Sequence, residues 1–196
     1  MDTLKVEKRD LAVKAKRLRR EGFVTGNIFG REIKGSIPVQ ITRSDAEKLL
    51  KTKNKGSQIL LELGGQKMDV LIKDISFGTL KGRMENIDFQ ALVAGEKVHS
   101  VAEIVLLNHE KVITGVLQQM LHEISYKALP SALVEKVEID VGSMHVGDTI
   151  LVKDLDIASN KDIELITHPE TMVVTVTEVH RKEADNAEGG NEDVNA

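Results

Sequence analysis

Short segments of strand character, cut apart by turn signals, run through most of this chain. Ile37, Val39 and Ile41 alternate with Pro38, Gln40 and Thr42, the period of two expected of a half-buried strand. Residues 58–63 (QILLEL) and 66–76 (QKMDVLIKDIS) flank Gly64-Gly65, which predicts a hairpin. A strand from Arg83 to Phe89 puts Met84, Asn86 and Asp88 on one face and Glu85, Ile87 and Phe89 on the other. Val98–Leu107, Val112–Leu117 and Gln118–Leu129 are apolar, and 137–141, 149–153, 163–166 and 172–179 are further strand candidates. Asn108-His109, Gly142-Ser143, Val146-Gly147-Asp148 and His168-Pro169 separate them. Such a series predicts a mainly β fold with a few short helices, its second half a sandwich or an open barrel.

The helices are few. Leu11 to Gly22 (LAVKAKRLRREG) combines good helix formers with a terminal glycine. Ser44 and Glu47 have capping-box spacing, which predicts a second helix over 45–52, ended by KTKNKG. Pro130 to Val134 predicts a single helical turn.

Charge divides the chain in two. Lys14 to Arg20 holds five cations in seven residues. Residues 1–92 carry 19 Lys and Arg against 12 Asp and Glu, a net of +7, whereas 93–196 carry 8 against 19, a net of −11. The composition shift near Gly95 sets the expected units: a basic domain 1–92, an acidic β domain 93–180, and a polar, disordered tail 181–196. Lys14, Arg17 and Arg20, three residues apart, share a helical face that Lys16 and Arg19 broaden. Like charges at that spacing oppose an isolated helix unless a polyanion supplies the counter-charge. The plain alternative is a solvated basic helix.

Nothing in the chain points to an enzyme. The six histidines are scattered, with no H-x-x-x-H pair, and there are no cysteines, so disulfides and thiolate metal sites are excluded. G-x-S-x-G, the phosphate loop and G-x-G-x-x-G are all absent. Asp154 and Asp156 flank Leu155 as a paired carboxylate would, but on an acidic domain they read as plain solvation. No catalytic residue, metal or cofactor is expected. The start lacks a secretory signal, no apolar run could span a bilayer, and cytoplasm is the default.

Taken in order, K-R-L-R-R-E-G-F-V (16–24), I-F-G (28–30), V-L-I-K-D (70–74) and N-I-D-F (86–89) resemble the bacterial large-subunit ribosomal proteins that bind 5S ribosomal RNA. G-V-L-Q-Q-M-L-H-E-I (115–124), L-P (129–130) and V-E-I-D-V-G-S-M-H-V-G-D-T-I-L-V-K-D-L (137–155) extend the resemblance to the two-domain branch known as general stress protein Ctc. It runs from about Lys8 to Val179. It implies an N-terminal small β-barrel with flanking helices, plus a C-terminal all-β domain. The implied partners are 5S rRNA and the large ribosomal subunit with its neighbouring proteins, with no DNA and no membrane, the free protein being a monomer. A stress-induced, sub-stoichiometric ribosome-associated factor whose C-terminal domain contacts a protein is the alternative.

By position, the resemblance places Arg9, Lys16 and Arg19 on phosphates. It places Phe29, Asp74, Ser76, Asn86 and Asp88 in an RNA minor groove. Lys14, Arg17 and Arg20 join the set on charge. Members of the family usually have tyrosine at Phe29, histidine at Asn86, and Gln-Arg-His-Pro in place of Ser76-Phe77-Gly78-Thr79, so a hydroxyl, an imidazole and a cation are missing here. Structural readings stand beside these: Phe29 as core filler, Asp74 and Asp88 as local hydrogen bonders.

Overall fold

The computed structural model describes residues 3–79, 82–112 and 115–178. The expected tail at 181–196 lies outside them. The first half contains β1 (Thr3–Lys8), α1 (Ala15–Arg20), β2 (Phe23–Phe29), β3 (Ser36–Thr42), α2 (Arg43–Leu49), β4 (Gln58–Leu63), β5 (Gln66–Phe77) and β6 (Met84–Ala91). The six strands close into a barrel in the order β1-β3-β2-β6-β5-β4. Closure comes from parallel pairing of β1 with β4, Leu4 opposite Leu61 and Val6 opposite Leu63. Alternate residues fill the interior, as a small barrel requires. Val24, Ile28, Val39, Ile59, Val70, Ile72, Ile87 and Phe89 have no exposed surface.

Two helix expectations need correction. The helix expected over 11–22 is confined to Ala15–Arg20. Asp10 captures the residues before it: its carboxylate accepts the Ala12 N–H at 2.9 Å and its carbonyl the Val13 N–H at 3.2 Å. The Arg9 guanidinium closes this turn on the Val13 carbonyl at 3.2 Å. Local side-chain bonding of this kind competes with helix. The helix expected over 45–52 starts earlier, at Arg43, because Thr42 and not Ser44 is the cap. The Thr42 hydroxyl accepts the Asp45 N–H and donates to the Asp45 carboxylate at 2.7 Å. That hydrogen bond, ahead of one from Lys48, holds the Asp45 carboxyl below its ordinary value. The hairpin is as expected, Gly64 and Gly65 both taking positive φ (58° and 86°), the geometry of its two-residue turn.

The second half forms two sheets around one core. One has the order β10 (Lys136–Asp140), β7 (Val98–Leu107), β9 (Glu123–Ala128), β12 (Ile163–Leu165). The other has β11 (Thr149–Leu151), β13 (Met172–Thr177), β8 (Val116–Gln119), and a short α3 (Asp156–Ser159) precedes β12. Tyr126, fully buried, sits among Ile124, Val137, Ile139, Val174 and other residues of both sheets. Its hydroxyl donates to the Val134 carbonyl and accepts the Val134 N–H, both at 2.8 Å. Burial, the largest influence, pushes this phenol above its ordinary value. Tyr126→Phe strands both backbone groups and is expected to lower stability by about 1.5 kcal/mol. A urea melt checks this, and a curve superimposing on wild type would show that the hydroxyl holds nothing.

The halves meet through the basic loop after α2. Lys53 Nζ pairs with Glu135 at 2.8 Å, the Asn54 amide donates to Glu103 at 2.6 Å, and Lys55 pairs with Glu123 at 3.5 Å. Lys73 Nζ donates to the His99 carbonyl at 2.8 Å. Burial first, and the charge of Lys55 second, lower the Lys73 pKa. Gly56 permits the approach: at φ 87°, a Cβ there would overlap the Val101 carbonyl. Among the described residues no helix is long and apolar enough to cross a membrane.

Candidate nucleic-acid interface

The outer surface of the barrel over β2, β6 and β5 carries a ladder of polar side chains. Its cause is the same alternation that fills the core. Between Val24, Gly26 and Ile28, which face inward, β2 turns Asn27 and Phe29 outward, both half-buried, and Thr25 on the same side is buried at 3% exposure. Parallel pairing sets Thr25 beside Asn86 and Asn27 beside Asp88. Antiparallel pairing on the other edge of β6 sets Ser76 beside Asn86 and Asp74 beside Asp88. Met84, expected on the same face as Asn86 and Asp88, instead joins Ile87 and Phe89 in the barrel core at 6% exposure, while Asn86 and Asp88 are half-buried. The reason is a bulge at Glu85, opposite Ser76 and Phe77, which breaks the period of two.

Hydrogen bonds fix the ladder's geometry. The Thr25 hydroxyl lies 3.0 Å from the Glu85 carbonyl and 3.1 Å from Asn86 Oδ1. The Asn27 and Asn86 amides both donate to Asp88 Oδ1, at 3.1 and 2.9 Å. Ser76 is 3.5 Å from the Asp74 carboxylate. Asp74 and Asp88 are therefore like charges in register across two strands, an unfavourable pairing. Among the described residues neither forms an ion pair, and none donates to Asp88 Oδ2. The surface offers acceptors and wants donors.

The cations of the first segment divide into three kinds. Lys14, Lys16 and Arg20 are exposed and form no ion pair among the described residues. Arg17 is exposed but pairs with Glu21 at 2.8 Å, a hydrogen bond that, with the carboxylate charge, raises its pKa. Arg9 and Arg19 are half-buried. Arg9 holds the Val13 carbonyl, and its Nε is buried without a partner. Arg19 reaches across to β6, pairing with the Glu85 carboxylate at 2.9 Å and donating from Nε to the Glu85 carbonyl at 3.3 Å. That contact brings the end of α1 to the Asn86 end of the ladder. Phe29 lies half-buried at its other end, opposite Gln90, and is not among the residues of the barrel core.

Asp74, Ser76, Asn86 and Asp88 are thus one surface, which the sequence placed on two separate strands. Asn27 is integral to it and the buried Thr25 braces it through Glu85 and Asn86; both were missed, although their alternation with Val24, Gly26 and Ile28 was a readable signal. Glu85, Arg43 and Arg83 gave none, because only the folded chain gathers them.

Two family models match the chain. Residues 4–89 match the Ribosomal L25p family, and residues 97–180 match the C-terminal domain of ribosomal protein TL5. The large ribosomal subunit protein bL25 of Listeria monocytogenes serotype 4b (strain F2365) is 30% identical over 179 residues, 89% of this chain and 85% of the relative. That of Geobacillus kaustophilus is 27% identical over 169 residues, covering 85% and 79%. That of Caldanaerobacter subterraneus subsp. tengcongensis is 26% identical over 195 residues, covering 95% and 96%.

Proposed function

The chain belongs to the L25p family of large-subunit ribosomal proteins, and from that premise we propose that it binds 5S ribosomal RNA through the outer face of its barrel. The RNA-binding unit is residues 1–92. The acidic unit 93–180, which repels phosphate, is left for protein neighbours in the subunit.

The observation that carries this reading is the ladder, with two carboxylates in register and no cation paired to either among the described residues. A-form RNA has a wide, shallow minor groove lined with 2′-hydroxyls and base edges. Guanine amino groups and hydroxyls are the donors that such acceptors want. Lys14, Lys16 and Arg20, exposed and without an ion pair among the described residues, are the cations that meet phosphates. Net charge overstates the cations so placed, since Lys53, Lys55 and Lys73 are engaged with the second half.

Gel-shift titration of 5S rRNA with the whole protein tests the reading. With Lys14, Lys16, Arg17 and Arg20 on phosphates, the slope of log K against log salt should be about −3, at roughly 0.7 to 0.9 per contact. No complex, or a slope near zero, would make the basic segment a solvated face.

A further inference from the structure

Beside the ladder, α1, the start of α2 and residues Gly78, Thr79 and Arg83 to Glu85 line a recess of about 720 Å³. Five cationic side chains line it (Lys16, Arg19, Arg20, Arg43 and Arg83), with a single carboxylate, that of Glu85. The arrangement is built from separate parts of the chain. Arg43 donates to the Arg19 carbonyl at 2.7 Å, fixing the last turn of α1, while its Nε is buried without a partner. The Gly78 N–H donates to the Arg83 carbonyl at 2.8 Å and the Gly82 N–H to the Gly78 carbonyl at 3.0 Å, and these bonds hold Arg83 at the rim. Glu85 reaches Arg19 by lying over Gly78, where a Cβ would sit 2.5 Å from its Oε1. Among the described residues Lys16, Arg20 and Arg83 have no ion pair.

We propose that this recess binds a backbone phosphate of the RNA, with Arg83 and Arg20 as its ligands and Glu85 as a built-in counter-anion that the phosphate displaces from Arg19. The proposal rests on the 5S rRNA reading. Unpaired cations facing one concave volume repel one another, and an anion between them relieves that repulsion. Glu85 relieves it in part and neutralises Arg19 in the free protein. The Thr25 hydroxyl, within hydrogen-bonding distance of both the Glu85 carbonyl and Asn86, makes the recess continuous with the ladder. A strand tracking the ladder would carry a phosphate over it. Glu85 therefore restrains affinity.

The test is 5S rRNA binding by the whole protein across a salt series, for wild type, Glu85→Gln and Arg83→Ala. Glu85→Gln keeps the side chain's shape and the backbone bonds to Thr25 and Arg19. It should bind about fivefold tighter, the effect of one unit charge at roughly 4 Å in water. Its salt slope should stay close to that of wild type, because the phosphate meets Arg19 in both complexes and only the cost of displacing Glu85 is removed. Arg83→Ala, at an exposed position, should weaken binding by about fivefold and flatten the slope by about 0.7 to 0.9. Either variant binding with wild-type affinity overturns the recess and leaves the 5S reading standing. A wild-type protein that fails to bind 5S rRNA overturns both.

Discussion

Replacing Gly26 with alanine is expected to destabilise the protein by roughly 3 kcal/mol, the upper range for an extra methyl forced into a packed interior. Gly26 faces inward in the middle of β2, paired in parallel with Ile87 of β6. A Cβ there would overlap the Ile87 carbonyl oxygen and approach Val39 Cγ2 to 3.4 Å. The valine could shift by a few tenths of an ångström. The carbonyl cannot turn away, because it belongs to a strand paired on both sides. The strain falls where β2 must hold Asn27 against Asp88, so a loss of RNA binding should accompany the fall in stability. The melting temperature should drop by on the order of 10 °C, at about 2 to 4 °C per kcal/mol for a protein of this size. A Gly26→Ala protein melting within a degree or two of wild type would show that β2 and β6 part easily and that the ladder is not rigid.

The same strand shows where sequence reading succeeds and where it stops. The hairpin of β4 and β5 was legible because its turn, its length and its alternation lie within twenty residues. β1 was not: Leu4 and Val6 are only two apolar residues among charged ones, and their burial depends on β4, more than fifty positions away. Barrel closure is a long-range pairing that no local period encodes. The limits of α1 were misread because Asp10 and Arg9 make local bonds that outweigh helix propensity at 10–13. For the site, the face shared by Asn86 and Asp88 followed from the period of two. Its join to Thr25 and Asn27 required the parallel register of β2 on β6. The recess was invisible for the same reason: Arg19, Arg43 and Glu85 are near neighbours only after folding.

Asp88→Asn should weaken 5S rRNA binding by about 1–3 kcal/mol while leaving the free protein as stable as before. The geometry separates the two carboxylate oxygens. Oδ1 accepts both the Asn27 and Asn86 amides, whereas Oδ2 has no donor among the described residues. In the variant, those two amides keep the remaining carbonyl oxygen turned toward them, so the new NH₂ takes the place of Oδ2. A donor then faces the hydroxyls and amino groups that the acceptor would have met. Stability should hold, because both internal bonds survive and the repulsion from Asp74 in register is removed. Simple electrostatics argues the other way, since deleting a negative charge from a surface that meets phosphate ought to strengthen binding. The two accounts therefore differ in sign. Weaker binding with an unchanged salt slope and an unchanged melt assigns Asp88 a specific acceptor role. Binding equal to or tighter than wild type would make it only a repulsive charge held in place by Asn27 and Asn86, and would remove it from the interface.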